Sequence, residues 1–205
     1  MLDAPAQEAG ESTKRRGRRI APWIALAVAA VLGALFIVLA SSDSGGTDSV
    51  SSFAVGKPAP AMVSTTFDGK PFDLSRRKGS WVVLNFFNTT CLPCKAEHPE
   101  LVTFAEQQAS LGVDGAELYT VTWGFDNQDD VRTWFADNGG DWPIVADPDG
   151  KIAVSLGVAK VPETWIIDPQ GVVVQRIATQ IDAAALSRTL QQWREAEAGV
   201  APPTT

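Results

Sequence analysis

At 205 residues, 45% apolar and 20% charged, the chain has room for one globular domain plus appendages and is too apolar for a disordered one. Its formal charge of −7 is uneven: residues 1–40 hold five basic and three acidic side chains, and the remainder holds 12 and 21. The body therefore lacks the basic field that nucleic acid or an anionic membrane surface needs, which excludes both as partners beyond the N-terminus.

Residues 1–19, polar and then basic ("KRRGRR"), read as a cytoplasmic N-terminus. "IAPWIALAVAAVLGALFIVLA" (20–40) is 21 residues without a charge, enough at about 1.5 Å per residue to cross a hydrocarbon core of about 30 Å. Positive residues stay inside, so the rest of the chain is expected on the extracytoplasmic side of the cell membrane, held by this single anchor. The competing reading is a cleaved signal peptide, with "VLA" before Ser41 as a weak cleavage site, although signal cores run about 7–15 residues. A twin-arginine signal lacks the residues that usually follow the pair, and no cysteine after the span offers a lipid attachment point. Residues 41–54 are Ser/Gly/Asp-rich and read as a flexible linker.

The globular domain is expected over 55–195, with a disordered tail at 196–205. Two short β-like segments flank Asp68-Gly69, a hairpin signal. "WVVLNFF" (81–87) is a continuous apolar run of β-formers, as in a strand buried on both faces. A helix follows from Leu92 to about Leu111, with Leu101, Phe104, Ala105 and Gln108 on related faces. Pro93 suits its first turn, and Pro99 is expected to kink it. "AELYTVTW" (116–123) is a second buried strand, "DDVRTWFADNG" (129–139) a short helix closed by Gly139, and "PIVAD" (143–147) either a strand or an extended connection. "KIAVSLGV" (151–158) reads as a short helix. "ETWIID" (163–168) and "VVVQRI" (172–177) form a hairpin across Pro169-Gln170-Gly171. "DAAALSRTLQQW" (182–193) is a last helix with Asp182 as N-cap. This order implies an α/β fold, a mixed β-sheet flanked by helices. With a C-x-x-C at the junction of first core strand and helix, a thioredoxin-like fold leads.

Cys91 and Cys94 are the only cysteines. A structural staple closing so small a loop would remove little unfolded-chain entropy. Cys91, Cys94 and His98 make three soft ligands, whereas structural zinc takes four, and no second Cys/His pair exists. His98 is otherwise expected on the helix surface, without consequence. A redox pair has the best support. Cys91 at a helix N-terminus meets free N–H groups that stabilise a thiolate, and Cys94, one turn in, can resolve a mixed disulfide. No metal and no cofactor beyond the redox-active disulfide is expected.

The segment "FFNTTCLPCKAEHPEL" resembles the active-site region of membrane-anchored thioredoxin-like proteins of the TlpA, ResA and CcmG (DsbE) group, whose pattern is roughly W-C-x-P-C-x-x-E-x-P. Cys91, Pro93, Cys94, Glu97 and Pro99 match. "GVAKVPETWIIDPQG" (157–171) resembles the group's G-V-x-x-x-P-E-T segment. The resemblance makes Pro162 a cis-proline packed against the cysteines, with Val161, Glu163 and Thr164 beside it as substrate-binding residues, and Thr90 before the first cysteine. It implies catalysis by Cys91 as attacking and Cys94 as resolving thiol, with Glu97 near them. The family's tryptophan before the first cysteine is Thr90 here, which bears on the surface offered to a partner. Trp123, ending the next strand, either supplies an aromatic there or packs in the core.

Glu97 and Glu163 are expected to place negative charge near the thiols, disfavouring thiolates and arguing for a reductant. By resemblance the clients are disulfide-bearing apocytochromes c, and the electron donor is a membrane protein of the CcdA or DsbD kind. One alternative is an oxidase acting on exported proteins. A peroxidase would need proline and serine or threonine where Leu84 and Asn88 stand before Cys91. An inactive scaffold would not be expected to keep C-x-P-C.

Overall fold

A computed structural model describes residues 21–41, 53–124 and 126–199 of the chain, with side chains for residues 23–34 of the first segment. The N-terminal segment expected in the cytoplasm (1–19), nearly all of the expected linker (41–54) and residues 200–205 of the tail lie outside the described residues. The chain divides into two compact units, Met1–Gly46 and Thr47–Thr205. The first contains α1 (Ala21–Ser41), with no acidic residue in its first turn and no basic residue in its last. Among the described residues no helix is long and apolar enough to cross a membrane.

The second unit is built on a sheet of β3 (Val82–Phe87), β4 (Glu117–Thr122), β5 (Ile144–Val145), β6 (Glu163–Ile167) and β7 (Val173–Ile177), in the order β5-β4-β3-β6-β7. β3, β4 and β5 run parallel, and β6 and β7 are antiparallel to their neighbours. Both hydrophobic runs become strands buried along almost their whole length. "PIVAD" contributes a two-residue strand, settling its open alternative.

Alternation along the strands sorts the core onto two faces. Val82, Leu84 and Phe86 point with Trp165 and Ile167 to one face, covered by Met62, Phe72 and Leu156. That cover comes from α4 (Lys151–Leu156) and from a hairpin of β1 (Val63–Thr65) and β2 (Pro71–Asp73) that turns at Gly69, where φ is +81°. On the other face Val83 and Ile166 meet Leu101 and Phe104 of α2 (Leu92–Ser110) and Leu186 and Leu190 of α5 (Ala183–Glu197). Beyond them Phe87 meets Val131 and Phe135 of α3 (Gln128–Asn138). Each such fully buried side chain contributes about 1.5–3 kcal/mol. α5 starts where its cap predicts, the Asp182 carboxylate accepting the Ala185 N–H at 2.6 Å. α2 contains Pro99 and remains one helix from end to end.

Before the hairpin the chain is stitched to the outer side of β7. The Gly56 N–H donates to the Val173 carbonyl, and the Val173 N–H to that of Lys57. After β1 it reaches the opposite side of the sheet, where the Phe67 N–H donates to Ile144 and the Ala146 N–H to Thr65. Ala54 is already buried in the core, and α5 runs to Glu197, so the ordered domain extends slightly past both ends of 55–195.

Candidate active site

β3 delivers the chain to a short turn that is pinned on three sides. The Asn88 carbonyl accepts the Cys91 N–H at 3.1 Å, and its Oδ1 accepts the Thr90 N–H at 2.8 Å and hydroxyl at 2.5 Å. Asn88 Nδ2 donates to the Trp123 carbonyl at 2.9 Å. The Thr89 N–H donates to Asp126 Oδ2 at 2.7 Å, and its hydroxyl bonds the other carboxylate oxygen. The approach to the cysteines is thereby fixed to the loop between β4 and α3.

Cys91 is the N-cap of α2, its Sγ accepting the Cys94 N–H at 3.1 Å, with Pro93 in the first turn. The two sulfurs are joined in a disulfide, with Cα atoms 5.2 Å apart. Exposure separates them. Cys91 is partly open to solvent, whereas Cys94 is 2% exposed. One sulfur can be approached from outside, and its neighbour only through it.

The Val161–Pro162 peptide is cis, as the resemblance implies. Beside Cys91 lies an open hollow bounded by Thr90, Pro93, Trp123, Lys160 and Val161. Val161 and Thr90 therefore both line the hollow beside Cys91. Glu163 and Thr164 do not. Both are 0% exposed, so neither can touch a client as the resemblance implies. Glu163 shares the sheet face of Trp165 and Ile167, away from α2, where Arg176 donates to it from Nη2 at 2.6 Å and Nε at 3.1 Å. The Trp165 indole N–H at 3.2 Å and the Ala159 N–H at 3.4 Å complete its shell. Thr164 Oγ1 accepts from Asn85 Nδ2 at 3.1 Å.

Glu97 is on the cysteine side, 2% exposed, and its carboxyl oxygens have no well-formed hydrogen bond, only a weak approach from the Ile181 N–H. Burial pushes its carboxyl up to about 8, against a weaker lowering influence from the Ile181 N–H. The expected negative charge near the thiols is thus corrected twice: Glu97 is chiefly protonated at neutral pH, and Glu163 is matched by Arg176. His98 is not on the surface either. It is 1% exposed, its Nε2 lies 2.8 Å from the Gly139 carbonyl, and the rings of Phe87, Trp134, Phe135 and Trp142 stand 4.4–6.4 Å from its own. Burial lowers its pKa, so it too is neutral. A signal for this was present, since Cys94, His98 and Leu101 fall at i, i+4 and i+7 on one helical face. Among the described residues no three His, Cys, Asp or Glu side chains cluster as metal ligands do. Trp123 does both things considered for it, packing partly against the core and walling the hollow.

The AhpC/TSA family model matches residues 55–176. Thiol:disulfide interchange protein HelX of Rhodobacter capsulatus is 30% identical over 168 residues, which cover 80% of this chain and 89% of that protein. Thiol-disulfide oxidoreductase ResA of Bacillus subtilis is 34% identical over 124 residues, covering 60% of this chain and 67% of that one. Among solved structures, a thioredoxin-family thiol:disulfide interchange protein from Chlorobium tepidum superposes with a TM-score of 0.59 at 25% identity, covering 65% of this chain and 93% of the other.

Proposed function

This chain belongs to the AhpC/TSA family as a thioredoxin-like thiol–disulfide oxidoreductase, and on that premise we propose that it reduces disulfides of extracytoplasmic client proteins through Cys91 and Cys94. The reduced pair is the reductant. The Cys91 thiolate attacks one client sulfur, forming a mixed disulfide and releasing the other client sulfur as a thiolate. The Cys94 thiolate then attacks Cys91 Sγ, so the Cys91–Cys94 disulfide forms, the second client sulfur leaves, and two electrons have passed to the client. Glu97, three residues beyond Cys94 on the same helical side, takes the Cys94 proton in this step through the minor fraction of molecules in which it is ionised, its carboxyl at about 8 being close to a thiol's ordinary value. Val161 and Pro162 form the wall along which the client segment lies.

The observation that carries this reading is the unequal exposure of the two sulfurs at the start of α2, one open beside a hollow and one sealed. The direction is supported by what surrounds them. A strongly oxidising dithiol owes its character to a stabilised thiolate. Here the buried neighbours Glu97 and His98 are both neutral near pH 7, and the one cation lining the hollow, Lys160, is exposed to solvent that screens it. The peroxidase alternative finds Leu84 sealed in the core and Asn88 tying two loops together at the positions it requires for other residues.

The finer assignment follows the resemblance and the sequence: clients are apocytochromes c, the electrons come from a membrane dithiol carrier of the CcdA or DsbD kind, and the uncharged segment 20–40 is an uncleaved anchor with its N-terminus inside. The experiment is Cys94→Ala in the full chain, which should trap clients on Cys91. Capture of apocytochromes c supports the assignment, and capture of general exported proteins alone overturns it. A reduction potential near that of a disulfide-forming oxidase would reverse the direction.

A further inference from the structure

The position before Cys91 presents no ring to a client, and both donors of Thr90 are occupied by Asn88. Trp123 stands across the hollow from it, on a different element. Its backbone is held at both ends: its N–H donates to the Phe87 carbonyl at 2.8 Å, and its carbonyl accepts from Asn88 Nδ2 at 2.9 Å. Asp126, three residues on, holds Thr89. The Trp123 backbone is therefore fixed relative to Cys91 through Asn88, which also holds the turn before the cysteine. Trp142 and Trp165 are committed inward, donating to Thr120 Oγ1 and Glu163, and Trp134 packs under the cysteines against Phe87 and His98 without lining the hollow. Trp123 is only half-buried. The rest of the hollow is largely apolar, with Pro93, Val161 and the 77% exposed Leu92 among its lining and Lys160 its one basic side chain.

We propose that Trp123 is the specificity-determining wall of the client site, its ring packing against an apolar or aromatic side chain next to the client's disulfide cysteine. This rests on the oxidoreductase reading above. A large rigid ring can select in this way because an aromatic contact adds stabilisation beyond area alone. The selection acts on binding of the client segment, so it appears in KM rather than in the rate of thiol exchange.

The test uses the reduced full-length protein and two disulfide-linked peptides that differ only in carrying phenylalanine or serine beside the cysteine. The wild type should show a KM about two- to tenfold lower for the phenylalanine peptide. Trp123→Ala should bring the ratio of the two KM values to about one, and Trp123→Phe should keep most of it. Because the proposal is read from a ratio within one variant, a general loss of fold or reactivity cancels. A wild-type ratio of one, or an unchanged ratio in Trp123→Ala, overturns the proposal and leaves the oxidoreductase reading intact. Failure of the wild type to reduce either peptide and 2-hydroxyethyl disulfide overturns both.

Discussion

Glu97 and Glu163 are both sealed from solvent, one on the cysteine side of the central sheet and one on the opposite face, yet only Glu163 has a cation. Around Glu163 the protein supplies a forked guanidinium, an indole N–H and a backbone N–H, and Arg176 also lies 5.4 Å above the Trp165 ring. Around Glu97 it supplies no cation and at most a weak contact from the Ile181 N–H, and the carboxyl answers by holding its proton. A buried charge must be either matched or neutralised. The matched one is fixed and can do no chemistry, whereas the neutralised one is free to titrate near the pH at which thiols do.

The strongest way to break this contrast is to remove the match. Arg176→Met should destabilise the domain by about 3–5 kcal/mol in urea denaturation, since it leaves Glu163 charged and alone. Adding Glu163→Gln should recover most of that loss. A double variant no better than the single one would show that the guanidinium acts through packing.

Glu97 should reveal itself through pH. At about 8 the folded carboxyl keeps a proton that the unfolded chain, near 4.5, has released. Folding therefore takes up a proton in this window, and stability falls as pH rises from about 5 to 8, by at most about 1.4 kcal/mol per pH unit. Glu97→Gln should flatten that slope in parallel denaturation series, and it should slow mixed-disulfide resolution. A slope that survives the substitution would assign it to another group.

His98 works in the opposite direction. Its folded pKa lies below the ordinary 6.5, so its contribution is intact above that value and is lost as pH falls below it. His98→Phe should shrink the acid loss in thermal melts at pH 5, while costing about 1 kcal/mol at pH 7 by leaving the Gly139 carbonyl without its partner. At the small end, Thr90→Ala removes a hydroxyl bonded only to Asn88 in an exposed turn, and its melting curve should move by less than about 0.5 kcal/mol.

The legible parts of this molecule were those written in local pattern. The run "VVLNFF", the Asp68-Gly69 turn and the Asp182 cap each carry their structure in a few adjacent residues, and the cysteine pair with Pro93 announces a helix N-terminus. What was illegible depended on register. Glu163 meets Arg176 only because β6 and β7 pair with an irregularity between Ile166 and Ile167, and nothing in "VPETW" names that partner. His98 was misplaced because polarity was weighed above its position between Cys94 and Leu101 on the helix. The wall formed by Trp123 exists only once β4 lies beside β3, two segments separated by the whole of α2.

The strap between Ala54 and Phe67 reaches both rims of the five-stranded sheet, pairing beside Val173 at one and beside Val145 at the other. An open rim is where one molecule can add its strand to another's and begin to aggregate. Here residues 54–67 of the same chain occupy those sites, so a neighbouring copy meets rim positions whose backbone is already paired.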